Sequence, residues 1–142
     1  MLVKQVLGCG FAVLFSMLSF NITAQISEAE RLVDEQLQAY TQRDLEGFLR
    51  HFSDKVKVYD DLSRYNVTEK ETMRKNYKLW FESVDLLECK IINRISAGNT
   101  IVDYEEVRYR KVGGEITELK AIAIYRISNN KISEVSFLRP EF

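Results

Sequence analysis

The sequence predicts a single α+β domain with its helices first and its sheet second. Three observations predict it. Segments near residues 28–42 and 69–83 open on helix-capping patterns and repeat apolar residues three or four apart. From about residue 86 the pattern changes to alternation with a period of two. Three turn signals, Ala97-Gly98-Asn99, Gly113-Gly114 and Asn129-Asn130, then divide the second half into four strands joined as an antiparallel meander.

The first 24 residues stand apart. Lys4 is their only charge, and an apolar run from Val6 to Phe20 leads to small Ala24. A positive start, a short apolar stretch and a small residue at the cut predict a cleavable signal peptide over residues 1–24. The run is about 15 residues, shorter than the roughly 20 that span a bilayer. The expected product is residues 25–142, periplasmic or secreted, with no membrane attachment after cleavage. It keeps one cysteine, Cys89, and so no internal disulfide.

Ser27-Glu28-Ala29-Glu30 is a capping box. Ala29, Leu32, Val33, Leu37 and Tyr40 follow at helical spacing, with Gln36 inside their stripe. Asp44 is a good N-cap for a short second helix that buries Leu45, Phe48, Leu49 and Phe52 and ends at Ser53-Asp54. Val56, Val58 and Asp60 alternate with Lys55, Lys57 and Tyr59 as an isolated strand between helices. Thr68-Glu69-Lys70-Glu71 reads as a second capping box, and Met73, Tyr77, Trp80, Phe81 and Val84 mark the inner face of the third helix. Leu87, Cys89, Ile91 and Ile95 share one face of the first meander strand. In the next, residues 100–112, Tyr104, Glu106 and Arg108 share one face and Glu105, Val107 and Tyr109 the other; a one-residue slip would exchange them. The third carries Ala121, Ala123, Tyr125 and Ile127 on one face and Ile122 and Ile124 on the other. Helices on one side of the sheet would leave Ile122 and Ile124 uncovered, which predicts a homodimer through that surface.

Composition excludes several functions. Twenty Lys and Arg balance 21 Asp and Glu with no basic stripe, so nucleic acid is not an expected partner. His51, read as a half-buried helix residue, is the single histidine; with Cys89 alone, a His- or Cys-built metal site is not expected. No dinucleotide fingerprint or phosphate loop occurs, so no cofactor is expected.

The run Gln42-Arg43-Asp44-Leu45-Glu46-Gly47-Phe48-Leu49, with Phe52-Ser53-Asp54 and Val58-Tyr59-Asp60 after it, resembles the nuclear transport factor 2-like superfamily. Within it the chain looks most like the SnoaL-like proteins and the steroid delta-isomerases. Ile127-Ser128-Asn129-Asn130-Lys131-Ile132-Ser133-Glu134-Val135 is similar to the family's last hairpin. The resemblance implies a cone: three N-terminal helices packed on a strongly curved antiparallel sheet around an open pocket. In the isomerases a first-strand Asp moves a proton beside a carbonyl, while a first-helix Tyr and a late-strand Asp hold the oxyanion. Here Asp60 falls on the base position, Gln36 on the Tyr position, and Ala123 near the late Asp, so both oxyanion donors are missing.

Two functions follow. One is a non-catalytic protein binding a small, fairly apolar molecule. The other is a cofactor-independent isomerase, dehydratase or cyclase-type enzyme with Asp60 as general base. In either, Gln36, Tyr40, Tyr59, Tyr77, Trp80 and Tyr125 are the candidate pocket residues, aromatic rings supplying apolar walls with hydroxyls at their edges.

Overall fold

The computed structural model describes residues 27–60, 64–67 and 69–140; the expected signal peptide, residues 1–24, lies outside them. In chain order the elements are α1 (Glu28–Thr41), α2 (Leu45–Leu49), β1 (Phe52–Asp60), β2 (Arg64–Val67), α3 (Lys70–Ser83), β3 (Val84–Ala97), β4 (Thr100–Lys111), β5 (Ile116–Ser128) and β6 (Lys131–Leu138). The α+β order and the four-strand meander are those the sequence predicts.

α1 starts where the capping box puts it: Ser27 Oγ accepts the Glu30 N–H at 3.1 Å, and the Glu30 carboxylate accepts the Ser27 N–H at 2.8 Å. It ends in a Schellman pattern. Asp44 N–H donates to the Ala39 carbonyl at 2.9 Å and Arg43 N–H to Tyr40 at 3.0 Å. Arg43 holds φ at 57°, a conformation that glycine usually takes, and Arg43 Nη1 reaches the Val84 carbonyl at 2.6 Å. Asp44 then caps α2 by accepting the Gly47 N–H at 3.0 Å. A Cβ at residue 47 would clash with the Asp44 carboxylate, so a larger residue there would displace the cap.

Several features differ from the sequence reading. α2 ends at Leu49, and Ser53-Asp54 belongs to β1, because Phe52 already pairs with Ile132 of β6. β1 is not isolated, since it pairs antiparallel with β2 and parallel with β6. The sheet is therefore mixed, in the order β2-β1-β6-β5-β4-β3, and not wholly antiparallel. The long path from β1 through α3 and the meander supplies the crossover that a parallel pair needs. α3 has Glu69 as its N-cap with no side-chain capping bond. Thr68, on which the second capping box relied, lies outside the described residues. His51 follows α2 instead of sitting in a helix, and it is buried.

The most consequential difference is a bulge in β3. Ile91 pairs with Glu105 but Asn93 with Tyr104, so Ile92 is the extra residue. The bulge turns Ile95 outward, 64% exposed, against the expectation that it shares a face with Leu87 and Cys89. It turns Arg94 inward instead. Arg94 clamps Asp103 of β4 with Nε–Oδ1 at 2.6 Å and Nη2–Oδ2 at 2.8 Å, and Nη1 reaches Asp34 of α1 at 2.7 Å. Asp103 is wholly buried. The core on this inner face joins Leu32 and Val33 of α1, Phe48 and Leu49 of α2, Met73 and Phe81 of α3, and Ile101, Ala123, Tyr125, Ile132 and Val135 of the sheet.

Removing one partner of a buried ion pair strands the other charge, which costs about 3–5 kcal/mol. Arg94→Met is expected to lower the urea unfolding free energy by that amount. The double change Arg94→Met with Asp103→Leu should recover most of the loss. A double variant no better than the single one would show that the clamp's charge is not what matters.

Candidate functional site

The inner face of the sheet and the three helices enclose a cavity of about 460 Å³. That size suits a small ligand. Its walls are mainly aromatic and aliphatic: Tyr40, Phe48, Tyr77, Trp80, Tyr109 and Phe137 are among them. The rings brace one another. Phe48 and Tyr77 lie 4.4 Å apart between centroids, and Trp80 meets Tyr109 edge-on at 5.0 Å. Trp80 Nε1 donates to the Tyr40 hydroxyl at 3.1 Å, which ties α3 to α1 across the cavity.

The alternation of β4 is now settled by burial. Asp103 and Glu105 point inward with Val107 and Tyr109. Glu106 and Arg108 lie on the other face, where Arg108 pairs with Glu88 and Glu118, each at 3.2 Å. Glu106 and Arg108 therefore do not face the pocket.

Glu105 is the carboxylate the sequence reading did not single out. It is 4% exposed and lines the cavity floor with Cys89, Ala121 and Tyr125. A chain of hydrogen bonds leads to it. Gln36 Nε2 donates to the Tyr125 hydroxyl at 3.3 Å, and that hydroxyl donates to Glu105 Oε1 at 3.1 Å. The Cys89 thiol is a further partner. Burial pushes the Glu105 carboxyl up to about 7, with the nearby Asp103 charge adding to the rise; the bonds from Tyr125 and Cys89 and the Arg94 charge oppose it. Burial likewise raises the Cys89 thiol and the Tyr40 and Tyr125 hydroxyls, and Tyr77 to about 12. All four are neutral near pH 7.

Of the expected site residues, the structure gathers Gln36, Tyr40, Asp60, Tyr77, Trp80 and Tyr125 around the one cavity. Tyr59 is not among its lining residues: it neighbours Asp60 on β1 and takes the opposite side of the strand. Asp60 ends β1 opposite Phe137 and is half-buried; the enclosed carboxylate is Glu105. Gln36 is 2% exposed, and its side-chain partner is Tyr125 instead of a backbone group. Phe81 is core and does not line the cavity. A signal for Glu105 existed in its strand mates, because Val107 and Tyr109 make that face the more apolar. Two acids on the same face obscured it.

The family of SnoaL-like domains matches residues 15–135, and the chain belongs to that family. The fold recurs in solved structures of low identity. A computationally designed 17-OHP binder aligns with a TM-score of 0.72 at 14% identity, over 80% of this chain and 94% of that one. A cystatin-fold protein from Novosphingobium aromaticivorans gives 0.71 at 17%, over 81% and 100%. An LEH-like epoxide hydrolase from M. tuberculosis gives 0.70 at 14%, over 80% and 83%. No curated protein matches the sequence.

Glu105 carries a pH signature. Its carboxyl is raised from 4.5 to about 7 on folding. Its contribution to stability is thus full below about pH 4.5 and is lost as pH rises through 7, by up to roughly 3 kcal/mol. His51 acts in the opposite sense, since burial lowers its pKa. The informative quantity is therefore a difference. Urea unfolding of the wild type and of Glu105→Gln from pH 4.5 to 8 should show the variant gaining on the wild type as pH rises. Parallel curves would mean that Glu105 is not desolvated.

Proposed function

We propose that the chain is a pocket protein that binds one small, largely apolar molecule in the cavity between helices and sheet. The observation that supports this most is the cavity itself: about 460 Å³, walled by rings, with one polar cluster of Gln36, Tyr125 and Glu105 on its floor. Apolar walls supply affinity, and a few convergent polar groups fix orientation. The designed 17-OHP binder and the epoxide hydrolase indicate that this architecture tolerates both plain binding and catalysis.

A second reading, proton-transfer catalysis, is favoured by one observation. A carboxylate near 7 is matched to moving protons at neutral pH. In that reading Glu105, more enclosed than Asp60, is the better-prepared base. Asp60 lines the same cavity and remains the second carboxylate in it.

Trp80 is the sole tryptophan of the chain and lines the cavity, so its fluorescence reports occupancy. The neutral probe 2-naphthalenemethanol should change that emission and raise the melting temperature. The stabilisation is about 2.7 kcal/mol when the probe is at one hundred times its Kd. Ala121→Phe, which fills the cavity floor, should weaken the probe at least tenfold while the protein stays folded. A variant that binds as well as the wild type would place the probe elsewhere.

The same reading includes a paired chain. On the sheet face away from the helices, Tyr104, Ile122 and Leu138 form one row across three strands, and Ile95, Val102 and Ile124 form another. This apolar surface fits a second copy across the sheet. Sedimentation should show a dimer for the wild type and a monomer for Ile124→Glu. A monomeric wild type at high concentration would remove this part of the proposal.

A further inference from the structure

The hydrogen-bond chain on the cavity floor has a direction. It begins at Gln36 Nε2, an amide nitrogen that can only donate. The Tyr125 oxygen accepts that bond, which turns its own proton toward Glu105 Oε1. The Cys89 thiol also has Glu105 as its partner. Every neighbour of Glu105 in this chain therefore donates to it. Glu105 is where the chain ends, and it ends as an acceptor.

An ionised carboxylate offers about four acceptor positions, and these two bonds fill two of them. The cations nearest to hand do not answer the rest. Arg94 spends its guanidinium on both oxygens of Asp103 and on Asp34. Arg139 lines the cavity from an exposed position after β6. When ionised, Glu105 is therefore a buried negative charge with no bonded cation among the described residues, beside a cavity walled by aromatic rings. Those rings attract cations, most strongly where water is excluded.

We infer that the cavity selects a protonated amine on an apolar body, with the ammonium hydrogen-bonded to Glu105 and the apolar part held against Tyr40, Tyr77, Trp80 and Tyr109. A ligand carbonyl would meet only an acceptor once Glu105 is ionised, as it is at pH 8. A carboxylate would add a second negative charge to a site where one is already costly. An alcohol could donate to Glu105 but would leave its charge uncompensated. The assignment rests on the pocket-binding reading and narrows it to one ligand chemistry.

The electrostatics around Glu105 bear on how the amine enters. The groups facing it are Cys89 and Arg94 from β3, Asp103 from its own strand, Tyr125 from β5, Tyr40 from α1 and Tyr77 from α3. Four of these are neutral near pH 7, and Arg94 and Asp103 offset each other. Asp60 of β1 and Arg139 also line the cavity; Glu105 is the carboxyl that burial brings near 7. An arriving ammonium drives it to the ionised form. With the carboxyl near 7 in the empty pocket, binding at pH 7 should release about half a proton per site.

The test is calorimetric titration of the full protein with three probes of one shape: 2-naphthylmethylamine, 2-naphthalenemethanol and 2-naphthoate. At pH 8 the amine should bind at least tenfold more tightly than the alcohol, and the naphthoate weakest. Glu105→Gln should erase the preference for the amine while keeping the alcohol. Should that variant fold poorly, the wild type still decides the matter: at pH 7, heats in buffers of different ionisation enthalpy should report proton release with the amine and none with the alcohol. Alcohol binding equal to or tighter than amine binding overturns the assignment and leaves the pocket reading standing. Tightest binding of naphthoate overturns it in favour of anion capture by Arg139. If none of the three binds, both the assignment and the pocket reading fail.

Discussion

The clamp of Arg94 on Asp103 sets the register on which the rest of the inner face depends. Side chains on a strand alternate, so fixing one fixes every second neighbour. With Asp103 held inward by two bonds at 2.6 and 2.8 Å, Glu105, Val107 and Tyr109 must also point inward. The partner strand β5 follows, presenting Ala121, Ala123 and Tyr125 to the same side. The clamp exists only because β3 carries an extra residue at Ile92. Without the bulge, Arg94 would face outward and Asp103 would be buried with no counter-charge. A bonded third oxygen, on Asp34, carries the same guanidinium to α1 and so positions the helix that brings Gln36 over the sheet.

The site inherits both precision and cost from this arrangement. Asp103 is buried with both carboxylate oxygens bonded by Arg94. Among the described residues Glu105 is paired with no cation, and hydrogen bonds from Tyr125 and Cys89 answer it instead. A purely structural design would place a leucine there. Its presence, on a floor that also holds Gln36 and Tyr125, is what separates this cavity from a packing defect. The aromatic walls add a second kind of constraint. Tyr40, Phe48, Tyr77 and Phe81 contact one another edge to face across three helices, so the cavity's width is set by ring packing and resists collapse.

Much of the fold was legible because helices and strands announce themselves through period and caps. Ser27 with Glu30, Asp44 before a short apolar turn, and the three hairpin signals each sit where local chemistry put them. The parallel pairing of β1 with β6 was not legible, since it joins segments far apart in the chain and leaves no local pattern. The outward turn of Ile95 was hidden for a related reason: a bulge is a single extra residue, and Ile92 looks like any strand residue. In the site, Gln36, Tyr40, Tyr77, Trp80 and Tyr125 could be found because they interrupt or enrich an apolar stripe. Glu105 could not, because a strand reading of alternating charges treats acids as solvated, and only the burial of Asp103 beside it reverses that reading.

The bulge also protects the molecule from itself. β3, fourteen residues long, is an outer edge of the sheet, and a straight edge of that length would present an unbroken row of backbone donors and acceptors to any neighbouring strand. The extra residue interrupts that row at its middle and bends the strand, so two such edges cannot zip together along their length. The same insertion that delivers Arg94 to its partner therefore keeps the chain from growing into ribbons.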